Sequence, residues 1–256
     1  MVEVKDLSYR VQERILMQAA TLTFEPQLFH VIMGANGAGK STLLKVASGL
    51  LQPTTGIVLL QGKEIRLYTK RELAIKRAVL SQHYHIAFPI TVSEVILMGR
   101  YPFYSNMLSA KDRRICQEVI QLMHLEELSG RYYHTLSGGE AQKVQMCRVL
   151  AQIWEAKDGE DKVLFLDEPV SNLDVKYQYQ LMQIARELCR HPITVIAILH
   201  DLNLALTFAD RILFMKEGEM VYDLRNPKEI SSQVIHDVFD IQATVEVVHQ
   251  KTVVLF

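Results

Sequence analysis

A glycine-rich segment near the N-terminus reads Gly34-Ala35-Asn36-Gly37-Ala38-Gly39-Lys40-Ser41 and fits the pattern G-x-x-x-x-G-K-[ST] at every position. Glycines let the backbone wrap closely around an anion, so that successive N–H groups point at phosphate oxygens. In this pattern Lys40 reaches the β- and γ-phosphates of a nucleotide and the Ser41 hydroxyl binds Mg²⁺. Thr42 can add a phosphate contact. The segment predicts a nucleotide phosphate loop; the alternative is a glycine-rich turn without a ligand.

The flanking residues have the order that such a loop requires. Residues 29–33 are an apolar run that predicts a buried strand ending at Gly34, and residues 41–48 predict a helix closed by Gly49. The positive end of that helix would face the same phosphates.

Farther along the chain, short apolar runs alternate with longer segments of helical period, which predicts an α/β fold with a parallel sheet. The predicted strands are 57–60, 163–166 and 193–199, and the predicted helix is 174–190. A hairpin is expected around 216–219, and a small β element over 245–256. Residues 86–150 carry mainly helical patterns and are interpreted as an insertion, so that residues 1–256 form a single domain.

A second acidic site follows the run 163–166, which ends in Asp167 and Glu168. A buried strand would deliver Asp167 to Mg²⁺ at the carboxyl edge of the sheet. Glu168 would then polarise the attacking water as a general base. Alone, the pair would be an ordinary strand end at the surface. Beside a phosphate loop it indicates nucleotide hydrolysis.

The third constellation, Leu136-Ser137-Gly138-Gly139-Glu140, is another glycine-rich helix start that could hold an anion. Taken alone it could be a flexible loop with an N-cap. Together with the other two sites it resembles the signature motif of the ABC ATPases, and the resemblance covers essentially the whole chain. It implies a P-loop NTPase (RecA-like) α/β core with an antiparallel β part and an inserted helical subdomain, using ATP and Mg²⁺. Ser137, Gly138 and Gly139 would then bind the γ-phosphate of an ATP held by the opposite subunit.

The same resemblance assigns roles to further positions. Gln82 matches the Q-loop glutamine, a Mg²⁺ and catalytic residue, and His200 matches the switch histidine that contacts the γ-phosphate. Tyr9 matches an aromatic residue that stacks on adenine. Residues 171–174 match the D-loop that crosses the dimer interface.

Three residues depart from the family pattern: Ala141, Val170 and Asn172. None of the three changes removes a group that touches phosphate or metal. The change at Asn172 lies at the expected interface and therefore bears on coupling more than on hydrolysis.

One phosphate loop and one signature motif in a chain imply a head-to-tail pair with a second copy of itself. The family contains three classes that bear on this chain: transporter subunits, DNA-repair and chromosome ATPases, and translation-type proteins. The segment between Lys40 and Ser137 has no room for the long coiled coil of DNA-repair members, and the two cassettes of translation-type members are missing. A transporter subunit is therefore expected, with two copies of a membrane permease, peripheral to the cytoplasmic face of the inner membrane. Residues 83–104 would form the permease groove, unless their aromatic side chains are internal core.

Within the transporter class, local segments indicate which cargo is carried, by resemblance alone. Residues 72–83 resemble importers of iron chelates and cobalamin, whereas 87–100 and 148–154 resemble the haem-import branch. Haem import, with a periplasmic haem-binding protein as indirect partner, is the expectation, and siderophore or cobalamin import is the alternative. His83 and His85 share a face in an extended segment, but permease contact or packing explains them better than a metal or haem site.

The composition of the chain limits which classes of protein it can belong to. Lys plus Arg number 28 against 29 Asp plus Glu, giving a net charge of −1 and no basic field for nucleic acid. The three cysteines are scattered and are expected to be reduced and mostly buried. Residues 1–6 have no secretory pattern, and no apolar run approaches a membrane span.

Overall fold

The computed structural model describes residues 1–81, 86, 88–104, 107–155 and 159–256. In chain order its strands are β1 (Val2–Val11), β2 (Arg14–Phe24), β3 (Phe29–Met33), β4 (Thr55–Leu60), β5 (Lys63–Glu64), β6 (Arg77–Leu80), β7 (Lys162–Asp167), β8 (Ile193–Ile198), β9 (Arg211–Lys216), β10 (Glu219–Leu224), β11 (Thr244–Val248) and β12 (Lys251–Leu255). Its α-helices are α1 (Lys40–Ala47), α2 (Lys70–Lys76), α3 (Val92–Leu97), α4 (Ala110–Leu122), α5 (Gly138–Ile153), α6 (Val175–Leu188), α7 (Leu202–Phe208) and α8 (Ser232–Phe239).

A six-stranded sheet, in the order β10-β9-β3-β8-β7-β6, forms the centre of the molecule. All neighbouring strands run parallel except β10, which pairs antiparallel with β9. Every residue of β3, β7 and β8 is buried, because helices cover both faces of a parallel sheet. The predicted strands at these three places are confirmed. Their carboxyl ends lie side by side at one edge of the sheet.

A second, antiparallel sheet has the order β2-β1-β4-β5. Its apolar side chains, such as Leu7 and Val58, share one core with Leu43 and Leu44 of α1 and with Phe165 of the central sheet. Helix α1 is thus enclosed between the two sheets. This arrangement confirms the predicted fold class, a P-loop α/β core with an antiparallel β part.

Helices α3, α4 and α5 lie between β6 and β7 in the chain, and α5 packs on both of the other two. Their apolar residues, including Val95, Val119 and Val144, belong to the same core as Leu164 of β7. Arg100 is fully buried among them, and its guanidinium pairs with Asp112 at 2.9 Å and with Glu155 at 3.1 Å. Arg100 also donates to the carbonyl oxygen of Ala151 at 2.7 Å and so ties α4 to α5, which leads from the signature motif toward β7.

The C-terminal part also follows the sequence pattern. β9 and β10 form the expected hairpin, and β11 and β12 form a separate two-stranded sheet. Cys116, Cys147 and Cys189 are free and buried, as expected. In the described ranges, none of the helices has both the length and the apolar character that a membrane span requires.

Candidate active site

The phosphate loop connects the central strand β3 to the start of α1 at Lys40. Gly34 has a φ of +148°, and a Cβ atom there would lie 2.1 Å from the carbonyl oxygen of Met215. Gly39 has a φ of +98°, and a Cβ atom there would lie 2.6 Å from the carbonyl oxygen of Leu16. Only glycine allows the loop to fit this closely between β2 and the end of β9.

The ammonium group of Lys40 is held inside the loop. It donates hydrogen bonds to the carbonyl oxygens of Gly34 at 2.8 Å and Ala35 at 2.9 Å, and the residue is only 6% exposed. Burial lowers the pKa of Lys40, while the nearby carboxylates of Glu168 and Asp167 act to raise it. The loop therefore encloses a positive charge at the place where the motif expects β- and γ-phosphates.

Two oxygen ligands suited to Mg²⁺ meet beside this lysine. The Ser41 hydroxyl donates to Oδ1 of Asp167 at 3.0 Å, and Asp167 ends the buried strand β7. Burial raises the pKa of Asp167, against the opposing effect of the Ser41 hydrogen bond. A bound cation would stabilise this buried carboxylate, and hydroxyl and carboxylate oxygens are the donors that Mg²⁺ prefers. The residues present fit the metal.

Glu168 turns the chain out of β7 with a left-handed φ of +51°. Its Oε1 lies 2.8 Å from Nε2 of His200. The two meet because β7 and β8 are parallel neighbours in which Asp167 is paired with Ile198, and His200 follows two residues later. A carboxylate paired with an imidazole beside the phosphate loop is suited to accepting a proton from water.

Two glutamine side chains that the sequence analysis did not single out hold the loop that follows Glu168. Nε2 of Gln142, on α5, donates to the carbonyl oxygens of Glu168 at 3.2 Å and Pro169 at 2.5 Å. Nε2 of Gln178, on α6, donates to those of Val170 at 3.3 Å and Leu173 at 2.9 Å. Each glutamine lies one helical turn into its helix, but this position alone does not mark them in the sequence, because the backbone atoms that they bind are set by the fold.

The signature motif forms the N-terminus of α5. Ser137 is the N-cap: its hydroxyl accepts from the backbone N–H of Glu140, while its own N–H and hydroxyl lie 2.8 Å from Oε2 of Glu140. These hydrogen bonds lower the pKa of Glu140. Ser137 and Gly138 are exposed, and a Cβ atom on Gly139 would lie 3.1 Å from the carbonyl oxygen of Asn172 in the expected D-loop. The motif thus presents an ordered, exposed helix start.

Of the remaining predicted positions, the structure describes Tyr9 but not Gln82. Tyr9 lies in β1 opposite Met17 of β2, and the adjacent Leu16 is the residue whose carbonyl approaches Gly39. Its strand therefore reaches the phosphate loop through β2. Gln82 lies outside the described residues, as do His83 and His85.

Comparison with known proteins agrees with this geometry. A family model described as "ABC transporter" matches residues 17–171, more than half of the chain. That range includes the phosphate loop, the signature motif and the Asp167–Glu168 pair.

Curated relatives extend the match to nearly the full length. The hemin import ATP-binding protein HmuV of Bradyrhizobium diazoefficiens is 41% identical over 97% of this chain and 91% of its own length. The protein of the same name from Gloeobacter violaceus is 41% identical over 86% of this chain and 80% of its own length.

Solved structures show the same fold. An inward-facing metal-chelate type ABC transporter has a TM-score of 0.80 at 21% identity, covering 100% of this chain and 96% of that one. The dimeric cassette MJ0796 with ADP and Pi has a TM-score of 0.75 at 28% identity, covering 87% of this chain and 97% of that one. The expected family is confirmed: the chain belongs to the ABC transporter family and is one of its ATPases.

Proposed function

We propose that the chain is the ATP-hydrolysing subunit of a haem importer and works as a head-to-tail pair. The observation that carries the ATPase chemistry is the meeting, at one sheet edge, of the buried Lys40 ammonium, the Ser41–Asp167 pair and the Glu168–His200 pair. We further propose that residues 1–256 act as one nucleotide-binding domain, with residues 86–150 as its helical insertion.

The phosphate loop binds ATP through the backbone N–H groups of residues 34–39, and Lys40 binds the β- and γ-phosphates. Thr42 adds a phosphate contact, and Tyr9 stacks on the adenine. Ser41, Asp167 and Gln82 would hold Mg²⁺, which when bound would neutralise charge on the phosphate oxygens.

Hydrolysis uses Glu168 as the general base. The carboxylate accepts a proton from the water whose oxygen attacks the γ-phosphorus; the bond from that phosphorus to the bridging oxygen breaks, and ADP and phosphate leave. His200 contacts the γ-phosphate and orients the Glu168 carboxylate, which it meets at 2.8 Å. The left-handed backbone at Glu168 supports this assignment, because strained backbone clusters at active sites.

The second copy completes each site. Ser137, Gly138 and Gly139 of one subunit bind the γ-phosphate of the ATP held by the other, which agrees with the exposure of this helix start. The similar cassette MJ0796 is dimeric in its post-hydrolysis state.

Transport requires two copies of a membrane permease, with this subunit peripheral at the cytoplasmic face of the inner membrane. The docking surface is the segment 83–104, where Phe88 and Tyr101 are 57% and 55% exposed. Phe103, by contrast, packs internally against the guanidinium of Arg100 at 4.0 Å. Some aromatic residues of the segment are therefore core and others are available to a partner.

The cargo is proposed from the relatives, several of which are hemin import ATP-binding proteins at 38–44% identity. They favour haem over a ferric siderophore or cobalamin. A periplasmic haem-binding protein would deliver the cargo to the permease.

Reconstitution with the cognate permease and binding protein in proteoliposomes tests the cargo. Phosphate release should be faster with haem-loaded binding protein than with the empty protein, since cargo can drive the cycle only by binding two states differently. Ferric siderophores and cobalamin, at matched concentration, should give no stimulation. A response to either of these, with haem inert, would refute the cargo and leave the ATPase assignment intact.

A further inference from the structure

Helix α7 starts immediately after the proposed switch histidine. Its N-cap is Asp201, whose carboxylate accepts from the N–H of Leu204 at 2.9 Å. Asn203, on the first turn, makes a two-point contact with the C-terminal strand β12: its Nδ2 donates to the carbonyl oxygen of Val254 at 3.0 Å, and the N–H of Val254 donates to its Oδ1 at 2.8 Å. The side-chain amide therefore pairs with β12 as a neighbouring strand would.

The hairpin formed by β11 and β12 depends on this contact for its position. Val254 is paired with Val245 of β11, and both backbone polar groups of Val254 are directed to Asn203. The side chain of Val254 is 2% exposed and belongs to the main core. A two-stranded hairpin is marginally stable alone, so its attachment to the body of the protein determines where it lies.

The same contact also constrains the position of α7. Among the described residues, α7 is also anchored by four apolar side chains buried in the core, those of Leu202, Leu204, Ala205 and Phe208. Apolar packing is non-directional, whereas the two hydrogen bonds of Asn203 have fixed lengths and angles. Asn203 is therefore the contact of the first turn that resists sliding or rotation of α7.

We propose that Asn203 is a positioning residue for ATP hydrolysis, which ties the start of α7 to the C-terminal hairpin and so fixes His200 against Glu168. Only Leu199, His200 and Asp201 lie between the end of β8 and the start of α7. The imidazole of His200 is 45% exposed, so little side-chain packing holds it and its backbone must be placed from both sides. The inference rests on the proposed role of His200.

The first test replaces Asn203 by leucine, which keeps the approximate volume and removes both hydrogen bonds. We expect kcat for ATP to fall about fivefold, with the KM for ATP unchanged, because the phosphate loop and Tyr9 are not affected. Thr207→Val is the matched control. Its hydroxyl donates to the carbonyl oxygen of Asn203 at 2.7 Å on the same helix, and it should leave kcat unchanged.

A second variant attacks the contact from the other side. Val254→Pro removes the N–H that donates to Asn203, and the edge of a hairpin tolerates proline. It should lower kcat by a similar factor. The melting temperature of each variant is measured, so that the assays are run well below the temperature at which it unfolds. Either variant suffices if the other fails to fold.

The decisive measurement is a double-mutant cycle in single-turnover assays. In a His200→Ala background, Asn203→Leu should cause no further loss, because its effect passes through His200. An equal loss with and without His200, or a wild-type kcat in both Asn203→Leu and Val254→Pro, would overturn the proposal. Absence of ATPase activity in the wild type, or full activity in His200→Ala, would instead refute the proposed function.

Discussion

Two structural properties of Glu168 support its proposed role as the general base. Its backbone is left-handed, which directs the chain away from β7, and its carboxylate meets His200 at 2.8 Å. The carboxylate of Asp167, one residue earlier, instead accepts a hydrogen bond from the Ser41 hydroxyl. The two adjacent carboxylates lie in different environments, which is consistent with the separate tasks proposed for them, metal binding and proton transfer.

Glu168→Gln keeps the shape and hydrogen-bonding capacity of the side chain and removes the base. ATP turnover should fall by roughly 10²- to 10⁴-fold, while ATP binding survives. An ATP-bound dimer should then accumulate and be visible by size-exclusion chromatography. Turnover near that of the wild type would place the base on another residue.

Asp167→Asn should stabilise the protein while removing its response to MgATP. Burial raises the pKa of Asp167 in the folded protein, so the ionised carboxylate costs stability at pH values above that pKa. The variant should therefore melt at a higher temperature than the wild type at neutral pH, and the difference should shrink as the pH falls through the folded-state pKa toward the unfolded one. Stabilisation by MgATP should be lost in the variant.

Glu219→Gln, at an exposed position of β10, is the control for loss of one negative charge and should melt at nearly the same temperature as the wild type at neutral pH. An Asp167→Asn protein that melts below the wild type at neutral pH would contradict the argument, since it would mean that the ionised carboxylate is stabilised in the fold.

At the scale of elements, α5 and α6 jointly hold the loop between Glu168 and α6. Gln142 binds the first two carbonyl groups of that loop, and Gln178 binds two later ones. The helix that begins with the signature motif is therefore in contact, within one subunit, with the backbone of the proposed base. A displacement of α5 by a partner would be transmitted directly to Glu168.

Leucine substitutions at the two glutamines test this contact as a matched pair. Oε1 of Gln142 is buried and has no hydrogen-bond partner among the described residues, so Gln142→Leu loses only the donor interactions. Each variant should lose about 1–2 kcal/mol of stability. Gln142→Leu should lower kcat about tenfold, and Gln178→Leu, whose partners lie farther from Glu168 in the chain, about twofold. Equal losses of kcat would show that the loop responds as one unit.

The elements differ in how far the sequence predicts them. The buried strands and the phosphate loop were predictable, because continuous apolar runs and glycine spacing are local signals. In β1 and β2 the alternation is interrupted by bulges near Asp6 and Ala19, both with positive φ. The pattern therefore predicted only the strand 57–60 of this sheet, which pairs antiparallel with β1 and not in the parallel sheet, and the antiparallel sheet itself was expected only from the family resemblance. Asn203 and Gln142 act on backbone atoms that are distant in sequence, and no local pattern identifies such partners.

At the scale of the whole molecule, the groups proposed to be catalytic lie at one sheet edge, whereas the signature motif forms the exposed start of α5, a helix whose later turns are buried. The hydroxyl of Ser137 is occupied in its own subunit by the capping box with Glu140. The subunit thus carries a phosphate loop and, separately, an ordered helix start that is proposed to bind the γ-phosphate of a partner's ATP. Two copies arranged head to tail would bring the two faces together in two equivalent sites.

Mixing two inactive variants tests that arrangement. Lys40→Ala removes the phosphate-binding ammonium, and Ser137→Arg blocks the signature motif. In a mixed dimer, one composite site carries both defects and the other carries neither. Random pairing makes half of the dimers mixed, so about one quarter of wild-type activity should return if the intact site turns over alone. Phosphate release from each variant and from the mixture measures this recovery, and size exclusion with ATP measures dimer formation. Subunits that hydrolyse ATP independently would show neither recovered activity nor new dimers on mixing, because each chain would keep its own defect.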